Sequence, residues 1–155
     1  MSVFSIDLAT LTPGRHRVSL ECDAAALGLP PEGWPGPIRG SFDVEKSGEQ
    51  VTVRGRVMAV AALECVRCLR AIEAGVEAPL DVFAERARPA RRLEEQLLER
   101  DDFMKFHDGR LLDLSDEARE SLLLELPMAP RCREDCQGLC PVCGADWNIG
   151  TCSHR

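Results

Sequence analysis

A chain of 155 residues with 45% apolar content is long enough for one domain with a real core and a small extra module. Its formal net charge of −7 opposes broad attraction to nucleic acid, and 5% aromatic residues with no Tyr are too few for stacking single-stranded bases on rings. No apolar run approaches the ~20 residues of a membrane span, and Met1–Leu8 carries no basic or long apolar signal region, so no membrane association and a cytoplasmic location are expected. In that reducing setting eight cysteines favour metal over disulfides.

In chain order, short strands are expected around Phe4–Leu8 and Arg17–Cys22. Residues 24–37, with Pro30, Pro31, Gly33, Pro35, Gly36 and Pro37, read as turn and loop, and Trp34 as a lid on the core. Alternation then becomes clear. Ile38, Gly40, Phe42 and Val44 alternate with polar neighbours; after a turn at 46–50, Val51, Val53, Gly55, Val57, Ala59, Ala61 and Leu63 resume it. Ile72, Ala74, Val76, Ala78, Leu80 and Val82 follow in the same period. A period of two over this length predicts half-buried strands, joined as a three-stranded antiparallel meander.

Residues 86–92 form a short basic run and 93–100 a short helix, while the polar 101–110 reads as an exposed loop. Residues 84–110 are expected to be the most mobile part of the chain. The segment Leu111–Leu126 reads as a helix, around 115–126, after a short strand, with Ser115 or Asp113 able to accept the free N–H groups of its first turn and Asp116 and Glu117 suited to its positive end. Ala118, Leu122, Leu123 and Leu126 are expected to share its buried face, and Pro127 and Pro130 to end it. The fold class is therefore α+β: an antiparallel meander with one packed C-terminal helix and a cysteine-rich tail. Residues 1–130 form the mainly β domain, and 131–155 the tail, docked on the Cys65–Cys68 knuckle.

The cysteines carry the chemistry. Cys65-Val-Arg-Cys68 sits between two strands, and a two-residue gap lets both sulfurs face one ion where the backbone turns. The tail holds Cys132, Cys136, Cys140, Cys143, Cys152 and His154, with Cys-Pro-Val-Cys-Gly at 140–144. Such a knuckle aims backbone N–H groups at its thiolates, and Gly144 suits the left-handed residue that closes it, as Gly138 does before Cys140. Setting Cys22 aside as a packed core residue leaves seven cysteines and His154, twice the four ligands of a closed tetrahedral zinc. The preferred division is Cys65, Cys68, Cys132 and Cys136 for one ion and Cys140, Cys143, Cys152 and His154 for a second. The alternative is one zinc in the tail, with Cys65 and Cys68 free. His16 and His107 read as surface residues.

Four protein ligands per ion leave no open position for water or substrate, so the zinc is expected to be structural, and the chain neither an enzyme nor a binder of a small-molecule substrate. A redox CxxC usually opens a helix, which lowers its thiol pKa; this one lies between strands. A disulfide scaffold requires export. No Ser/His/Asp arrangement or phosphate-cradling Gly-rich loop is present.

The Cys65-Val-Arg67-Cys68-Leu69 knuckle after a strand, Leu112-Asp113-Leu114 before a leucine-rich helix, Leu126-Pro127-Met128 with Pro130, and Cys132-x3-Cys136-x-Gly138-Leu139-Cys140-Pro141-x-Cys143-Gly144 together resemble the YceD family of large ribosomal RNA subunit accumulation proteins. The resemblance spans most of residues 40–152. It departs at the end, where the family often has Cys-x-Cys and this chain has Cys152-Ser-His154. It implies a role in accumulation or processing of large-subunit ribosomal RNA and in ribosome assembly, with a ribosomal RNA precursor or assembly proteins as partners. Two zinc ions and seven thiolates would take the formal charge to about −10, so RNA contact should concentrate on arginines. Those are Arg86, Arg88, Arg91 and Arg92, or Arg67, Arg70, Arg131 and Arg133 beside the metal. The alternative is a protein adaptor with structural zinc and no direct RNA contact.

Overall fold

The structure is a computed structural model, and it describes residues 4–87 and 104–154. The helix expected at 93–100, and Arg88, Arg91 and Arg92, lie outside the described residues. The strands are β1 (Ser5–Asp7), β2 (Gly14–Cys22), β3 (Ile38–Ser47), β4 (Gln50–Glu64), β5 (Ala71–Arg86), β6 (Met104–His107) and β7 (Leu111–Asp113), followed by helix α1 (Ser115–Leu124).

The main sheet has the order β2-β3-β4-β5-β6. Its first four strands form an antiparallel meander, with Phe42 opposite Gly55 and Val53 opposite Val82. The expected three-stranded meander thus gains β2 along one edge, paired from Gly14↔Lys46 to Cys22↔Ile38. β6 lies parallel to the end of β5, from Phe83↔Met104 to Arg86↔His107. That corrects the exposed-loop expectation for 101–110. Four residues beside a run of acids leave too short a pattern to read, and the strand exists because the end of β5 offers it a partner. β1 and β7 make a separate antiparallel ladder.

One face of the main sheet is buried. Val44, Val53, Val57, Ala78, Leu80 and Val82 point into a core completed by Phe4, Leu8, Leu27, Trp34, Leu112 and Leu114. Phe4 and Phe42 meet edge to face, with ring centroids 5.9 Å apart. The other face alternates charge across the strands, as in Arg39–Glu21 at 2.9 Å and Arg56–Glu77 at 2.6 Å. These pairs are exposed, so each contributes about 0–1 kcal/mol, and they leave few arginines on that face without an acid.

Helix α1 closes the core with Ala118 and Leu122, both buried. The N-cap position is Leu114, which has no side-chain cap; Asp113, one residue earlier, accepts the Ser115 N–H on its Oδ1 at 2.9 Å. Leu123, expected on the buried face, is 45% exposed, while Leu126 packs at the core margin. Ala118 and Leu122 keep to one line of the helix and Leu123 rotates off it, while Leu126 lies beyond the helix, which ends at Leu124 rather than the expected 126. His107 is also corrected. It is buried, its Nε2–H donates to the Glu49 carbonyl at 3.1 Å and its Nδ1 accepts the Gly109 N–H at 2.9 Å. Nδ1 closes the turn after β6 and Nε2 reaches the turn between β3 and β4, a role that depends on a strand the pattern did not reveal. His16 is half-buried, its Nε2–H donating to the Thr12 carbonyl at 2.6 Å.

Candidate metal centre

β4 and β5 form a long hairpin, and its end carries the first knuckle. The Cys65 N–H donates to the Arg70 carbonyl and the Leu69 N–H to the Cys65 carbonyl, both at 2.9 Å. Leu69 turns the chain at φ +62°, an uncommon position for a residue with a Cβ. The second knuckle repeats this design. The Gly144 N–H donates to the Cys140 carbonyl at 2.9 Å, with Gly144 at φ +75°, and the Val142 N–H points at Cys140 Sγ at 3.4 Å. Leu69 therefore stands where the other knuckle has glycine.

The tail is tied to the first knuckle by its backbone. The Val66 N–H donates to the Pro130 carbonyl at 2.9 Å, and Arg67 Nη1 to the Cys136 carbonyl at 3.0 Å. Gly138, at φ +79°, passes so close that a Cβ there would sit 3.4 Å from the Arg67 carbonyl oxygen. Arg70 faces Asp146 at 3.9 Å, and Arg133 donates to Asn148 Oδ1 at 2.8 Å. Three of the arginines considered for RNA thus have partners within the protein. Arg86 is exposed near Gly109.

The fold gathers two sets of soft ligands. The ligand atoms of Cys65, Cys68, Cys132 and Cys136 all lie within 4.8 Å of one another, and so do those of Cys140, Cys143, Cys152 and His154. Within the first set, Cys65 Sγ and Cys136 Sγ are 3.8 Å apart and Cys68 Sγ and Cys132 Sγ 3.6 Å. Sulfurs bound about 2.3 Å from one tetrahedral ion lie about 3.8 Å from each other. A disulfide requires about 2.0 Å, and all eight cysteines are free thiols. Each set could hold a metal ion. Cys65, Cys68 and Cys136 of the first are buried, whereas Cys143 and His154 of the second are exposed. Cys22 lies apart in the main core, where burial pushes its thiol up to about 11.

The thiols divide in ionisation as close-packed acids do. The Cys68 backbone N–H, with those of Cys132 and Arg67, holds Cys65 down at about 6 against its burial. The Asn148 side-chain amide lowers Cys136. Burial, with hydrogen bonds that the Cys132 S–H donates to the other three sulfurs, pushes Cys132 up to about 12. In the second set the Trp147 indole N–H, 3.4 Å from Cys152 Sγ, leads the causes that bring Cys152 down to about 6. Neighbouring thiols at this spacing cannot all ionise together unless a cation balances them.

Asn148 and Trp147 were not foreseen as part of the site. Asn148 Nδ2 donates to Cys136 Sγ at 3.4 Å from a loop belonging to the other set. No periodicity marks these two residues; the one available signal is that polar N–H donors lie between two ligands.

A family model described as Large ribosomal RNA subunit accumulation protein YceD matches residues 53–155, from within β4 through both ligand sets. The chain belongs to the YceD family. An uncharacterized protein of Mycobacterium leprae is 37% identical to this YceD-family chain over 111 residues, which is 72% of the chain and 49% of that protein. Uncharacterized proteins of Mycobacterium tuberculosis and Mycobacterium bovis are 38% identical over 102 residues, covering 65% of the chain and 47% of each. The chain therefore spans about half the length of the curated relatives it matches. No solved structure matches it significantly. Among the described residues no helix is long and apolar enough to cross a membrane.

Proposed function

We propose that this chain is a non-catalytic cytoplasmic zinc protein that supports accumulation and processing of large-subunit ribosomal RNA during ribosome assembly. The observation that carries the reading is the partition of eight soft ligands into two four-membered sets within a YceD-family match. Thiolate and imidazole donors in tetrahedral spacing favour zinc among common cellular divalent ions. Zinc in the first set would cross-link the β4–β5 hairpin to the tail. All four positions of each set belong to protein, which supports a structural role and neither catalysis nor a small-molecule substrate.

Native mass spectrometry tests the metal. Two zinc ions are expected per chain, and Cys65→Ser should release one of them. One ion insensitive to Cys65→Ser sinks the two-site assignment.

Crosslinking and sequencing of bound RNA tests the function. Enrichment of large-subunit ribosomal RNA precursors, weakened by replacing Arg86, Arg88, Arg91 and Arg92 with Ala, is the expected result. Enrichment no greater than for an inert acidic protein rules out direct contact. The adaptor reading draws support from Val66, Leu69, Val142 and Ile149, apolar side chains left exposed on and near the knuckles. It predicts assembly-protein partners that survive nuclease treatment.

A further inference from the structure

We infer that Asn148 couples the two ligand sets, so that a metal ion held by Cys140, Cys143, Cys152 and His154 raises the affinity of Cys65, Cys68, Cys132 and Cys136 for theirs. The inference rests on the reading of both sets as metal sites. Asn148 ligates nothing; it is a positioning residue.

Its loop runs from Cys143 to Cys152, two ligands of the second set. Asp146 Oδ1 accepts both the Asn148 backbone N–H and one Nδ2 hydrogen, each at 2.9 Å, and the Ile149 N–H donates to the Asp146 carbonyl at 3.1 Å. The Trp147 N–H fastens the loop to the Gly138 carbonyl at 3.0 Å. The Asn148 side chain then reaches out to the first set. Nδ2 donates to Cys136 Sγ at 3.4 Å, while Oδ1 accepts the Gln137 N–H at 2.9 Å and Arg133 Nη2 at 2.8 Å. Arg133 lies between Cys132 and Cys136, and Gln137 follows Cys136. One side chain thus holds the segment that carries two ligands of the first set and stabilises the charge on one of them. Partners of this kind orient a ligand, and losing one typically lowers metal affinity about 10–100-fold. Asn148 is held in place only while its loop is ordered. The ion that closes that loop removes the ordering cost from the other site, and linkage makes the effect reciprocal.

The test titrates the full chain with cobalt(II), whose thiolate charge-transfer and d–d absorption separates a four-sulfur from a three-sulfur, one-nitrogen set. Zinc competition gives affinities. Asn148→Asp keeps an acceptor for Gln137 and Arg133 but replaces the donor facing Cys136. It is made together with Asp146→Asn, to avoid opposing carboxylates, and compared with Asp146→Asn alone. The expected result is about a 10–100-fold weaker four-sulfur site with the second site's spectrum retained. Cys152→Ser should weaken the four-sulfur site similarly, and add little on top of Asn148→Asp in a double-mutant cycle. An unchanged four-sulfur site in the Asn148→Asp chain, or effects that simply add, overturns the coupling. Loss of both sites together reduces Asn148 to a loop-folding role and overturns it too. If the unaltered chain takes up fewer than two ions, the metal reading itself fails, and the coupling with it.

Discussion

Leu69 and Gly144 answer the same backbone demand with different residues. Both close a knuckle in the left-handed region, at φ +62° and +75°. A Cβ on Gly144 would meet nothing within 4 Å, so Gly144→Ala tests backbone conformation alone. It should cost about 1 kcal/mol, read as a weaker zinc affinity of the second set in chelator competition; an unchanged affinity would show that the turn is not strained. Cys22 gives a pH test. Its folded-state pKa of about 11 exceeds the ordinary thiol value of 9.0. Between those values the unfolded chain gives up a proton that the folded chain keeps, so stability falls as pH rises. Urea midpoints for the native chain and Cys22→Ala should therefore diverge less at about pH 10.5 than at about pH 8. A constant gap between the two would discard this account.

The sheet depends on glycine where β3 and β4 face each other. Gly55 pairs with Phe42, and a Cβ on Gly55 would collide with the Ser41 carbonyl oxygen. The obstacle is backbone, which no rotamer change can relieve. Gly55→Ala should lower unfolding stability by about 1–3 kcal/mol or more, measured by urea denaturation followed by circular dichroism. A loss below about 0.5 kcal/mol, the range of ordinary surface changes, contradicts this account of the Ser41 carbonyl contact. The alternation that revealed β3, β4 and β5 also contained Gly55, but pairing Gly55 with Phe42 requires the register, which a single strand does not carry.

The molecule has two centres of cohesion. The main core runs from Phe4 to Leu122, and a second, small cluster consists of Cys65, Cys68 and Cys136, with Cys132 and Leu139 packed against it. Met128, Val142 and Ile149 stay exposed, so the tail has little apolar burial to hold it. Stripping metal with a strong chelator should therefore free the tail and spare the sheet. Hydrogen exchange should rise over 130–154 and 65–70 while β3 to β5 remain protected. Collapse of protection in β3 to β5 would mean that the two centres fold as one.

Much of this was legible in the residue order, because strand alternation and ligand spacing are local. Burial on one face imposes a period of two on β3, β4 and β5, and the knuckles require two cysteines with two residues between them, followed by a turn. Ligand number alone pairs Cys65 and Cys68 with Cys132 and Cys136, and the fold places those four together. What the order did not carry is whatever depends on a distant neighbour. β6 pairs only because β5 ends beside it, and His107 is buried by that pairing. Asn148 serves Cys136 across a gap of 12 positions. Hydrogen bonds between loops impose no period on sequence, so only the folded chain reveals which loop a donor will reach.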